Sequence, residues 1–171
     1  TDLWLAILEG VAEEIQIDRI AVWEDMSGRQ GSLISMGMVE EFMMPQYDRL
    51  VEFACAHDVP VVTVDTDGKV DELVRVMTSH GVTTMYPFEV QAGNDIIEFR
   101  REYPDMGIMG GLDKRALARG REAMHRELDR AEKMLALGGW VPGSDHAIPS
   151  DVPWTGYKYF VEELRKLVIG K

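Results

Sequence analysis

Two aspartates two residues apart, Asp65 and Asp67, directly follow the apolar run 61–64. Side chains at i and i+2 of an extended chain lie on one side. Such a pair can hold a divalent cation or work as an acid and a base. An Asx turn closing the strand on Asp67-Gly68 fits the same spacing. Asp145-His146 follows the bend Pro142-Gly143-Ser144. A histidine there can serve as a metal ligand, a proton shuttle, an anion contact or a hydrogen-bonded structural side chain. Glu24-Asp25, Glu89 and Asp113 close three further apolar runs. A lone acid at such a place can be a helix cap, as Asp113 is placed to be, or can pair with a cation such as Arg29 or Lys69. Several acids gathered on one rim repel one another unless a metal or a cationic partner relieves them.

Five short apolar runs must position these residues: 20–23, 61–64, 83–88, 106–112 and 140–143. Helical patterns alternate with them. Polar groups at the C-terminal ends of successive strands are how a parallel α/β fold builds a site. Ser35 is placed to cap a helix carrying Val39, Phe42, Met43, Leu50 and Ala54, and Pro45 inside it predicts a kink or two abutting helices. Leu73, Val74 and Met77 stripe a helix over 70–80 with Gly81 just past its end. Further helices are expected over 96–100, over 114–137 as one long charged helix with a Glu122–Arg126 pair, and after Pro153 with Tyr157, Phe160, Val161, Leu164 and Val168. The βα spacing is close to the ~31 residues of a barrel unit. Neither a Gly-x-Gly-x-x-Gly nor a Walker loop follows any strand, which argues against a nucleotide-binding doubly wound sheet. Five units leave two solutions, an open sheet or the C-terminal part of an eight-fold barrel.

The chain has 171 residues, 46% apolar and 28% charged, which suffices for one globular domain over 1–171. Its net charge of -12 repels phosphate backbones, and the basic stretch 114–121 is diluted by the acids after it, so no nucleic-acid partner is expected. No apolar run approaches the ~18 residues of a membrane span and there is no signal-peptide pattern, which points to the cytoplasm. The single cysteine excludes an internal disulfide, and Phe53-Ala54-Cys55 predicts a buried thiol. Met36, Met38, Met43 and Met44 are expected in the core, although methionine also suits the lining of a flat apolar ligand. His57, His80 and His125 fall on or just after helices and are expected to face solvent. The chain begins inside a helical pattern, as a piece of something longer would.

Met109-Gly110-Gly111-Leu112-Asp113-Lys114-Arg115-Ala116-Leu117 and Gly143-Ser144-Asp145-His146-Ala147-Ile148-Pro149 resemble segments of the uroporphyrinogen decarboxylase superfamily. Trp23-Glu24-Asp25 and Phe42-Met43-Met44-Pro45 are similar to its fourth strand and the helix after it. The resemblance covers residues 23–164 and implies strands four to eight of a TIM (β/α)8 barrel. It sets His146 on the family histidine. Among the superfamily's corrinoid-dependent methyltransferases, which hold zinc through a His-x-Cys pair and a later Cys, Asp65 and Asp67 fall on the pair and His146 near the last ligand. The resemblance thus implies an Asp65, Asp67 and His146 site for zinc or another hard divalent metal. It makes His146, Asp65 and Glu24 the catalytic candidates, and Asp25, Glu89 and Asp113 the substrate-binding ones. Methyl transfer, with a corrinoid carried on a partner protein, is the expected activity. Decarboxylation of uroporphyrinogen or a related polycarboxylate, in porphyrin biosynthesis, is the alternative. A third expectation is an inactive piece that self-associates as a dimer, because part of a barrel leaves open edges and an exposed inner face.

Overall fold

A computed structural model describes residues 1–170. The chain alternates helices and strands: α1 (Asp2–Ala12), β1 (Arg19–Trp23), β2 (Ser27–Gly28), β3 (Gly31–Ser32), α2 (Met36–Met38), α3 (Met44–Ala56), β4 (Val61–Asp65), α4 (Asp71–Ser79) and β5 (Thr84–Tyr86). Then follow α5 (Ile96–Glu102), β6 (Gly107–Met109), α6 (Arg121–Leu137), β7 (Trp140–Val141) and α7 (Trp154–Ile169). The fold is α/β, with a five-stranded parallel sheet in the order β1-β4-β5-β6-β7 and a small β2–β3 hairpin. The chain divides into two compact units, Thr1–Tyr86 and Pro87–Lys171, each with its own core.

In the first unit β1 pairs with β4 from Arg19↔Val61 to Trp23↔Asp65, and β4 with β5 from Thr63↔Thr84 to Asp65↔Tyr86. The pleat sends Ile20, Val62, Val64 and Met85 to one face, where all are buried. Phe53, Ala54 and Val59 pack there with Ile20 and Val62, and Leu5, Leu8 and Ala12 of α1 close over them. Ser35 caps α2, accepting the Met38 N–H at 3.2 Å. The expected break at Pro45 is present: a π-helical segment, Val39–Met43, separates α2 from α3, and Pro45 sits in the first turn of α3. The wide π turn shifts the helical face. Val39 and Met44 end fully buried, while Phe42 is 60% and Met38 46% exposed, contrary to the straight-helix stripe. Cys55 is also exposed, not buried. It lies one residue past Phe53 and Ala54, and a helical step of about 100° carries it off their face.

In the second unit β6 and β7 pair through Ile108↔Trp140 and Met109↔Val141, and a further parallel bridge joins Leu112 to Ser144. Leu117, Met124, Leu128 and Ala131 pack with Phe160 of α7, and Tyr157 and Leu164 border them. Val161 and Val168, expected on that stripe, are 40% and 42% exposed. The single long helix expected over 114–137 is instead a 3-10 turn, Lys114–Ala118, followed by α6. Gly120 separates the two at φ 91° and ψ 179°, a conformation closed to residues with a Cβ. The Glu122–Arg126 pair forms at 2.9 Å. No helix among the described residues is long and apolar enough to cross a membrane.

Candidate functional site

In the first unit the candidate residues lie where β1 and β4 end. Glu24 follows β1, its N–H donates to the Asp65 carbonyl at 2.9 Å, and its carboxylate accepts the Tyr47 hydroxyl at 2.5 Å. Tyr47 is buried on α3. Burial, then the Glu24 carboxylate, pushes its phenol far above the usual range, so it acts as a fixed donor that aims Glu24. Tyr47→Phe is expected to cost about 1 kcal/mol in a urea melt, because it strips a half-buried carboxylate of its donor.

Asp25 is exposed at φ 48°. Asp65 and Asp67 are half-buried on either side of Thr66, whose N–H donates to the Tyr86 carbonyl at 3.0 Å and whose hydroxyl accepts the Met26 N–H at 3.2 Å. Gly68, at φ +76°, passes directly under the Gly28 carbonyl, which accepts the Lys69 N–H at 2.9 Å. Both carboxylates act on Tyr86: burial first, then Asp65 and Asp67, push its phenol up.

In the second unit Asp145 is the centre. Its side chain is fully buried, and its two oxygens accept the Val90 and Lys114 N–H groups, each at 2.9 Å. The Lys114 ammonium lies 4.0 Å from Asp145 and donates to Glu89 at 3.1 Å. Lys114 itself is 9% exposed. Asp113 caps the 3-10 turn through the Arg115 N–H at 2.9 Å and takes the Arg115 guanidinium on both oxygens. Burial raises its pKa, but the Arg115 hydrogen bonds more than offset this and hold the carboxyl below the usual range. The repulsion expected among rim acids is thus relieved here by cations of the same chain. His146 lies on the same loop as Asp145 but is exposed, and its carbonyl accepts the Ser144 hydroxyl at 2.7 Å.

Burial dominates at two acids of this unit. Asp145 and Glu127, which accepts the Asp113 N–H at 2.9 Å, both have raised pKa values, with desolvation as the largest cause. A carboxyl whose folded pKa exceeds its unfolded one binds protons more tightly in the fold. The fold therefore gains stability as pH falls through the folded pKa toward the unfolded value of about 4.3 for Glu. Glu127→Gln is expected to flatten the rise in urea stability between neutral pH and about pH 5. An unchanged slope would contradict this.

Among the described residues no three His, Cys, Asp or Glu side chains stand together as a metal-binding group. The divalent-metal reading of Asp65, Asp67 and His146 therefore rests on the resemblance. No protein-family model matches the chain, and no curated protein matches it at a significant level.

Within each unit the structure groups the candidates differently from their order of prominence in the sequence. Glu24 and Asp65 are joined through the backbone, and Asp65 with Asp67 flanks Tyr86. Glu89 joins Asp145 only through Lys114. Tyr47 and Lys114 are the side chains that sequence reasoning passed over, and Asp145 was named there only as the neighbour of His146. The only signal for Lys114 was its place one residue after a capping aspartate at a strand end. Tyr47 carried none beyond an apolar helical position. His125 is exposed on α6, as expected, with its ring on the Tyr159 hydroxyl at 2.7 Å, whereas His57 and His80 are half-buried and pair with Glu9 at 3.1 Å and with Asp48 at 2.7 Å.

Proposed function

We propose that the chain is the C-terminal part, about strands four to eight, of a (β/α)8 barrel of the uroporphyrinogen decarboxylase superfamily, and that its activity is methyl transfer with a corrinoid carried by a partner protein. One observation carries the reading. The two segments that resemble the superfamily lie against each other beyond β6 and β7, tied by the Leu112↔Ser144 bridge, by the Asp145 N–H to the Leu112 carbonyl at 2.8 Å and by the Asp145 carboxylate on the Lys114 N–H. Residues that would share one rim in such a barrel are thus built as one hydrogen-bonded unit.

In this reading Glu24, aimed by Tyr47, exchanges the proton of the reacting oxygen, and His146 offers an imidazole from an exposed loop. Lys114, held by Glu89 and Asp145, supplies a fixed cation for developing negative charge. Asp113, saturated by Arg115, is left with a capping role. A divalent metal, if held by Asp65 and Asp67, would act as a Lewis acid on a methyl donor's oxygen. The acidic balance disfavours the alternative, decarboxylation of a porphyrinogen, because a negative rim repels a polyacid.

The test is methylation of cob(I)alamin from methanol or a methyl aryl ether, followed by the corrinoid spectrum, with uroporphyrinogen turnover as the contrasting arm. Methyl transfer that falls about a hundredfold on His146→Ala is expected. Turnover of uroporphyrinogen without methyl transfer would reverse the assignment.

The self-associating reading is favoured by the apolar groups left open in the first unit: Trp23 at 77%, Leu33 at 71% and Phe42 at 60% exposure. A concentration-dependent dimer in light scattering, with neither activity, would support it.

A further inference from the structure

The first unit's sheet is unequal on its two faces. Ile20, Val62, Val64 and Met85 lie on the face that helices cover. The register sets two rows on the other face, Trp23–Asp65–Tyr86 at the C-terminal end and Ala21–Thr63–Thr84 one pleat step behind it. Parallel sheets are ordinarily covered on both sides. Here Ala21 is exposed, and the two rings flanking Asp65 are bare, Trp23 at 77% and Tyr86 at 37% exposure.

The row behind holds a second, independent anomaly. Thr63 is 4% exposed, and its hydroxyl oxygen is the one buried side-chain polar atom without a hydrogen-bond partner among the described residues. Buried hydroxyls are nearly always paired, so an orphan calls for an explanation. The strand alternation aims this one to the same face as Asp65, beside the small Ala21. The row itself sets the Asp65 carboxylate between the two rings, so an acid stands at the centre of the bare face.

We propose that this face binds a small organic cation, a protonated or methylated amine, with Trp23 and Tyr86 as flanking rings, Asp65 as counter-charge and the Thr63 hydroxyl as the partner of the ligand's polar end. An aromatic face and a carboxylate together suit a cation that is apolar on its outside. An inorganic cation would make no use of the rings, and an anion would be repelled. The inference stands on residues of the first unit and goes beyond the methyl-transfer reading: it gives Asp65 to the amine where that reading gives it to a metal, and choline binding measured without added divalent cation and without a methyl donor tests it apart from that reading.

Calorimetry on the 171-residue chain tests it, with choline chloride as the probe against sodium chloride at equal ionic strength. Saturable binding of choline is expected, with none of 3,3-dimethylbutan-1-ol, its uncharged carbon isostere. Trp23→Leu and Asp65→Asn are each expected to weaken choline about tenfold. The tryptophan is largely exposed, so its replacement spares the core. Thr63→Val removes only the orphan hydroxyl. It is expected to raise the Tm of the ligand-free protein, to weaken choline, and to leave the affinity for tetramethylammonium unchanged. No saturable binding of choline, equal binding of the neutral isostere, or affinities untouched by Trp23→Leu and Asp65→Asn would each overturn the site. A Thr63→Val protein that neither gains stability nor separates the two cations would remove the hydroxyl from it.

Discussion

Replacing Asp145 with alanine is expected to cost the fold about 3–5 kcal/mol, the range for breaking a buried, hydrogen-bonded ion pair from one side. The carboxylate is fully buried and satisfies two backbone N–H groups, at Val90 and at Lys114. Alanine orphans both donors and leaves the nearly buried Lys114 ammonium with Glu89 as its one acid in this network. The raised pKa of Asp145 says that burial makes its charge costly in itself. The loss therefore comes from the abandoned partners rather than from a favourable ion. Asp145→Asn separates the two contributions. It keeps an acceptor for one N–H but turns an amide donor toward the other, and is expected to fall between wild type and Asp145→Ala. Urea unfolding at neutral pH reads both. A fold holds only about 5–15 kcal/mol in total, so this one side chain would carry a large share of it. A loss below about 1 kcal/mol would mean that water replaces the carboxylate and that the network is not structural.

Gly110→Ala is the second large loss expected, about 3 kcal/mol or more. Gly110 sits at φ +82°, and a Cβ there would stand 2.8 Å from the carbonyl oxygens of Pro87 and Ser144. Both are backbone atoms that no rotamer change can withdraw, and the Gly110 carbonyl is itself fixed by the Trp140 indole N–H at 2.8 Å. Gly93 supplies the control. It has φ +93° but open space around its Cβ position, so Gly93→Ala is expected to cost only about 1 kcal/mol, the conformational part alone. Thermal melts of the two variants side by side separate crowding from backbone preference. Equal losses would show that the strand ends can part, and that the contact between the two superfamily-like segments is looser than proposed.

The alternation of strands and helices was legible because each strand is a short apolar run stopped by an acid, and each helix carries a stripe or a cap. Ser35, Asp113, Pro45 and the start of α7 after Pro153 all act as their residue types dictate. Two faces were misjudged for a common reason: periodicity assumes a regular helix. The π turn at Val39–Met43 displaced Phe42, and Gly120 broke a run whose charge pattern looked continuous. Cys55 failed on phase, one step beyond the buried pair Phe53 and Ala54. At the site, single acids were legible from position, but their partners were not. Lys114 and Asp145 are 31 residues apart, and Tyr47 and Glu24 are 23 apart. Only the folded backbone brings such pairs together. The orphan hydroxyl of Thr63 was invisible for the same reason, since a missing partner is a property of the neighbourhood and not of the residue.

The position of Cys55 has a practical consequence. A chain with one cysteine, and that one exposed, carries a single addressable thiol in its native state. Maleimide dyes or spin labels should attach at one place on α3 and report on ligand or partner binding without mutagenesis. The same thiol can join two copies through an intermolecular disulfide in air. A dimer found without reductant would then be a product of oxidation, and only one that persists in a reducing buffer speaks for the apolar surface around Trp23, Leu33 and Phe42.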